Sequence, residues 1–418
     1  MKWLGNRPVR IAQPLRQLTG RDAPSEAPAS AAGLDQAAVD RIWRGVKDLY
    51  RTGAYPAITF CLRRRGHVLI NRSLGHAYGN GPDDPIDAPK RLASPDTPIC
   101  VFSASKAITA VLIHKLAEQG GVRLDQPVSH FIPQFAQNGK RDTTLSAVLA
   151  HRGGFPMFDL PKDQIDPGML LDWDRCIDLI SRAPPTHRDG PRLAYHAITG
   201  GFILAEVLQR VTGQSIAEYL DQQIRQPMGM RYFTYGLSPE LRGDAATNYM
   251  AGAPVRFPIS VLLERALVMP IDKIVEISNS DVFYDAVVPA GNLYATAEEL
   301  SRFFQMLLDQ GEYAGREILK PETVRRIVQP ACQLAFDHTL KIPMRYSEGM
   351  MLGANPFGLY GPMSGRAFGH LGFMNILGWA DPQRELSAGL LVSGKAVLGT
   401  HLIALGKLLT TINRQCSG

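Results

Sequence analysis

The residues with the plainest capacity for chemistry lie in FSASK, residues 102–106. Ser103 and Lys106 stand three apart, a spacing that on a helix puts both side chains on one face, about 5–6 Å between Cβ atoms. A serine hydroxyl is a weak nucleophile and needs a neighbouring base. Lysine can serve once its pKa falls from about 10.4 toward neutrality, and burial supplies that shift by disfavouring the ammonium form. The positive end of a helix dipole acts in the same direction. The run AITAVLI that follows is apolar on nearly every side, so burial is available. A serine cap followed by a solvated lysine is also a common helix start. The five residues alone leave both readings open.

The elements that must hold this pair follow from periodicity. SASKAITAVLIHKLAEQGG (103–121) reads as a buried helix stopped by Gly120 and Gly121. LDQAAVDRIWRGVKDLYRTG (34–53) carries Ala38, Ile42, Val46 and Tyr50 on one helical face, with Gly53 as the stop. AITFCLRR and HVLINRSLG form a predicted hairpin. RAFGHLGF, NILGWADP and ELSAGLLVSG form three predicted strands near the other end, and GTHLIALGKLLTTINR is a closing helix. Ser215–Glu218 and Thr296–Glu299 read as capping boxes that open two further helices. Strands at both ends around a helical middle predict an α+β fold: an antiparallel sheet built from N- and C-terminal strands, flanked by terminal helices, with a large helical insertion. The expected division is 35–125 plus 285–418 for the sheet domain and 126–284 for the helical domain, with a possible lid at 251–271. Residues 1–34 are expected to be a weakly ordered basic leader and an Ala/Pro/Ser linker.

Charge and composition narrow the function. Of the net +6, residues 1–22 hold +4, which leaves +2 for the body and argues against a nucleic-acid-binding face. No apolar run approaches the ~18 residues of a membrane span. Five widely spaced cysteines include no C-x-x-C pair, and the ten histidines show no H-x-x-x-H spacing, so neither a metal nor a disulfide framework is indicated. A cytoplasmic protein without a cofactor is the expectation, its partner a small molecule.

Two distant motifs bear on FSASK. PRLAYHAITGGF places Tyr195 at a loop-to-helix junction, and AFGHLGFMN places His370, Leu371 and Gly372 on a strand near the C-terminus. The order S-x-x-K, Y-x-N, then K-T-G or H-x-G, here SASK, YHA and HLG, resembles the serine β-lactamase and penicillin-binding-protein superfamily. The likeness is greatest to class C-like β-lactamases and family VIII carboxylesterases. It extends over roughly residues 35–415 and includes LAHRGGFP (149–156), SIAEYLDQQIRQPMGM (215–230) and PAGNLYATAEELSRF (289–303). The resemblance implies Ser103 as acylated nucleophile and Lys106 with Tyr195 as its proton-transfer pair, Tyr195 acting as phenolate or shared base. It implies an oxyanion hole made by the backbone N–H groups of Ser103 and Phe373. His370, Leu371, Gly372 and His196 would touch substrate, Gly372 by letting it approach the strand closely.

Two departures bear on the substrate. His370 stands where β-lactamases usually carry Lys, and Ala197 stands where the tyrosine motif usually ends in Asn. Both suit a neutral ester of small or medium acyl chain better than a β-lactam. A β-lactamase, a D-amino-acid amidase or peptidase, and an acyltransferase would use the same Ser103, and a catalytically silent binding homologue is the alternative of another class. An α/β-hydrolase is disfavoured because no serine sits in G-x-S-x-G. Elsewhere His151 reads as a structural hydrogen-bonding residue, Ser105 as a backbone partner and Trp379 as sheet packing.

Overall fold

The computed structural model describes residues 7–158, 160, 167–186, 192–257, 260 and 270–417. Most of the stretch read as a possible lid lies outside these residues. The main sheet is assembled from the two ends of the chain. Its N-terminal strands are β1 (Thr19–Arg21), β2 (Ala57–Arg64) and β3 (His67–Tyr78). From the C-terminal part come β4 (Met351–Leu352), β5 (Phe368–Leu371), β6 (Leu377–Asp381) and β7 (Leu386–Val392). The order is β1-β3-β2-β7-β6-β5-β4, antiparallel throughout. The β2–β3 turn is Arg65-Gly66, both residues at positive φ, which gives the tight reversal this hairpin needs. This is the α+β architecture expected of the sequence.

Helices cover both faces. Helix α1 (Gln36–Arg51) starts at an Asp35 cap that accepts from Ala38 N–H at 2.6 Å. The others that matter here are α2 (Ser105–Glu118), α3 (Thr199–Thr212), α4 (Ala297–Leu308) and α5 (Thr400–Gln415). Gly378 of β6 and Gly389 of β7 sit opposite one another in the register. A Cβ on Gly378 would run into Phe304 and Leu300, and one on Gly389 into Ala297, so this glycine pair lets α4 settle directly on the sheet. The next residue along, Trp379, faces the other way by the period of two. It is fully buried and stacks on Tyr360, whose carbonyl is held by Asn413 of α5. Trp379 therefore packs the sheet, and α1 and α5 pack together on that side.

Within the expected leader and linker, the described residues pack on the sheet. Here β1 extends the sheet beyond β3, Leu18, Ala29 and Ala32 are buried, and Glu26 pairs with Arg72 and Arg21. A three-residue strand that adds to an existing edge has too little periodicity to be seen in isolation. No helix among the described residues is long and apolar enough to cross a membrane.

Candidate active site

The chain reaches Ser103 through the short strand Ile99–Cys100, paired antiparallel with Leu293–Ala295. A 3-10 turn, Phe102–Ala104, then leads into α2. Ser103 thus sits one turn ahead of the α-helix proper. Phe102 has φ +47°, a conformation disfavoured for a bulky residue, and it persists because the ring is held from several sides. Phe373 lies 5.4 Å away between centroids, and the buried Lys395 ammonium sits 4.7 Å from the Phe102 ring. Ser105 acts as a local tie: its hydroxyl donates to Phe102 O at 2.5 Å and accepts from Leu293 N–H at 3.1 Å.

Lys106 points into the protein. Its Nζ donates to Ala290 O at 2.8 Å and lies 4.9 Å from the Tyr195 ring centroid. No carboxylate is among these neighbours, and burial pulls the ammonium down to about 7. The same PAGNLYA segment therefore binds the lysine through Ala290 and the start of α2 through Leu293.

Tyr195 belongs to no regular element, yet each backbone N–H around it is taken. Ala194 N–H donates to His151 O at 3.0 Å, Tyr195 N–H to Asp337 Oδ1 at 3.2 Å, and His196 N–H to His151 Nδ1 at 3.2 Å. His151, at φ +57°, is a structural hydrogen-bonding residue as read from the sequence. The Tyr195 hydroxyl is buried. Burial pushes its pKa well above the ordinary tyrosine value, Asp337 adds to the rise, and the Ser103 hydroxyl works against it. Burial thus disfavours the phenolate form of Tyr195.

The two histidines expected at the substrate are both buried. His370 Nδ1 donates to Leu371 O at 2.7 Å, which leaves Nε2 as the unprotonated nitrogen. Its ring centroid is 6.2 Å from that of Tyr195. Burial, with Lys106 adding to the effect, holds its pKa down to about 3. His196 Nε2 accepts from Phe155 N–H at 3.3 Å, and burial lowers its pKa to about 3 as well. His196 lines a cavity of about 20 Å³ with Lys106, Thr109 and His151, behind the lysine. Both rings are neutral and have inward neighbours. At Gly372 a Cβ would overlap the Val101 carbonyl and the Ile376 side chain. Its bareness lets the strand lie against the chain that carries the nucleophile.

Ser103, Lys106 and Tyr195 thus meet at one place, with Phe373 packed on the residue before Ser103. A match to the Beta-lactamase family model runs over residues 37–404, most of the chain. The chain belongs to the Beta-lactamase family. It is a serine hydrolase of that family. Among curated relatives it is 27% identical to the esterase/β-lactamase LipL of Mycobacterium tuberculosis over 314 residues, covering 71% of this chain and 69% of LipL. Among solved structures, a family VIII carboxylesterase matches at TM-score 0.76 and 23% identity over 92% of this chain and 99% of the other. A penicillin-binding-protein homologue from Caulobacter crescentus matches at TM-score 0.75 and 23% identity, with the same coverage. Identities this low carry the fold.

Asp337 and Lys395 were not singled out from the sequence. Asp337 sits in FDH with no motif around it, and Lys395 follows a strand in VSGKA. Neither has a neighbour in sequence that would mark it.

Proposed function

We propose that the chain is a carboxylesterase, cleaving esters of small or medium acyl chain through an acyl-enzyme on Ser103. Lys106, with a pKa near 7, takes the Ser103 proton as the hydroxyl attacks the ester carbonyl. The carbonyl oxygen gains charge between the N–H groups of Ser103 and Phe373. Tyr195, protonated in the resting enzyme, donates toward the departing alkoxide and is reprotonated from Lys106. Water then attacks the acyl-enzyme with the proton path reversed, releasing the acid and restoring Ser103.

The observation that carries the ester reading is the state of His370. In place of the fixed cation that helps hold a β-lactam carboxylate, the third motif offers a buried imidazole whose pKa is near 3, neutral at any physiological pH. Ala197, also buried, adds no amide. The carboxylesterase neighbour supports this reading, while LipL, described as both esterase and β-lactamase, is compatible with either substrate. Purified protein offered p-nitrophenyl butyrate, nitrocefin and a D-alanyl amide is expected to favour the ester in kcat/KM by about 10²-fold or more, the scale of one lost charged contact. Nitrocefin turnover above ester turnover would move the assignment to a β-lactamase, and preference for the amide to a D-amino-acid amidase.

The packing of Gly372 gives a second test. Gly372→Ala forces the strand away from Val101, and with it the Phe373 N–H from the position the oxyanion would occupy. A fall in kcat of about 10²-fold is expected, the worth of one oxyanion donor, with the far-ultraviolet spectrum unchanged. Wild-type kcat in this variant would remove Phe373 from the oxyanion hole.

A further inference from the structure

We propose that Asp337 is the positioning residue for Tyr195. The proposal rests on the esterase mechanism above, in which the Tyr195 phenol moves a proton between Lys106 and the leaving group. Tyr195 lies in an irregular segment, so its placement depends on discrete bonds instead of a helix or a ladder. Asp337, fully buried, supplies them from a hairpin 142 residues away in the chain, formed by Ala335–Phe336 and Pro343–Met344.

Its two oxygens have separate tasks. Oδ1 accepts from Thr339 N–H at 2.8 Å and Leu340 N–H at 2.9 Å, which shapes the hairpin's own turn, and from Tyr195 N–H at 3.2 Å. A turn of this kind needs only the first two bonds. Oδ2 accepts from the Tyr346 hydroxyl at 3.0 Å. The Tyr346 ring in turn packs edge-on against His151 at 4.8 Å, and His151 lies 4.7 Å from the Tyr195 ring. Next door, His338 N–H donates to Leu193 O at 2.9 Å, so the hairpin grips the tyrosine segment at two successive points. Asp337 therefore reaches Tyr195 twice, through its backbone and through the ring stack on its far side. All four donors to the carboxylate are neutral. Four hydrogen bonds satisfy this buried side chain, two more than the turn requires. The additional bonds are the ones that end on Tyr195 and its packing partner.

Misplacing a proton-transfer group by about 1 Å costs on the order of 10²-fold in rate. Asp337→Ala is accordingly expected to lower kcat on p-nitrophenyl butyrate by about 30–100-fold while KM stays within about 3-fold. Asp337→Asn keeps a carbonyl acceptor for the three N–H groups and is expected to recover activity to within about 5-fold of wild type. The deciding measurement is a double-mutant cycle with Tyr195→Phe. A residue that acts through the phenol costs less than about 3-fold once the phenol is gone. An equal loss from Asp337→Ala in both backgrounds, or a loss confined to KM, overturns the proposal. Should Asp337→Ala fail to fold, Asp337→Asn serves in the same cycle: its smaller loss must vanish in the Tyr195→Phe background, and persistence there overturns the proposal. The hydrolytic reading fails separately, if wild type turns over no more ester than Ser103→Ala. The cycle is then read by the rate of fluorophosphonate labelling at Ser103, in which Tyr195 donates to the departing fluoride as it would to an alkoxide, with the same pattern supporting or overturning the role of Asp337.

Discussion

Ser103→Ala is expected to lower ester turnover by about 10⁴-fold or more and to abolish labelling by a fluorophosphonate probe, with an unchanged melting temperature. The size follows from what the hydroxyl does. Every covalent step passes through its oxygen, and no neighbour can replace it: the Ser105 hydroxyl is committed to Phe102 O and Leu293 N–H. Residual rate comes from oxyanion-type stabilisation of water attack alone. The stability expectation is as specific. Ser103 is only partly buried and lies in a turn where its side chain makes none of the bonds that tie α2 to Leu293–Ala295. Those bonds come from Ser105 and Val101. Turnover or labelling that survives Ser103→Ala would place the nucleophile elsewhere and dissolve the assignments of Lys106 and Tyr195 with it. Ser105→Ala is the informative contrast, since it breaks two buried bonds and is expected to cost stability, about 1–3 kcal/mol, before it costs chemistry.

How much of this was legible in the sequence depended on what holds each residue. Strongly periodic segments announced themselves: α1, the β2–β3 hairpin and the three C-terminal strands all fall where the pattern puts them. Lys106 was legible too, because an all-round apolar helix implies a buried lysine, and the ammonium is indeed buried. What pattern could not show is geometry imposed from far along the chain. Phe102 takes a positive φ because Phe373 and Lys395 clasp its ring, which delays the α-helix past Ser103. His370 is a plausible substrate contact in a linear motif, and only the packing of the strand shows its ring buried and its tautomer set by Leu371 O. Tyr195 was found through its motif, but the residues that hold it, His151 and Asp337, are joined to it only in three dimensions. The raised pKa of the phenol is likewise a property of burial, which a linear motif does not show.

Burial lowers the Lys106 pKa and raises that of Tyr195, which makes the pH dependence of the enzyme a test of which group is the base. If Lys106 takes the proton from Ser103, it must be neutral, and kcat/KM is expected to rise with pH through a single ionisation near 7 and level off above about 8. A phenolate base would instead keep the rate climbing toward pH 10 and beyond, because burial raises the Tyr195 pKa. Lys106→Arg keeps the charge and most of the volume but cannot shed its proton, so it is expected to lose about 10³-fold or more and to lose the limb near pH 7 along with the rate. Lys106→Met is expected to be as inactive but more thermostable than wild type at pH 6. The sign follows from linkage. The folded-state pKa lies below the unfolded value, so the unfolded chain binds more protons between about pH 7 and 10.5, and the buried lysine costs stability throughout the range below its folded pKa. A thioether removes that cost while leaving the apolar wall intact. Stability gained where activity is lost would identify Lys106 as a group held against its own solvation for the sake of the reaction. An acid limb that persists unchanged in Lys106→Met would assign the ionisation, and the base, to another residue.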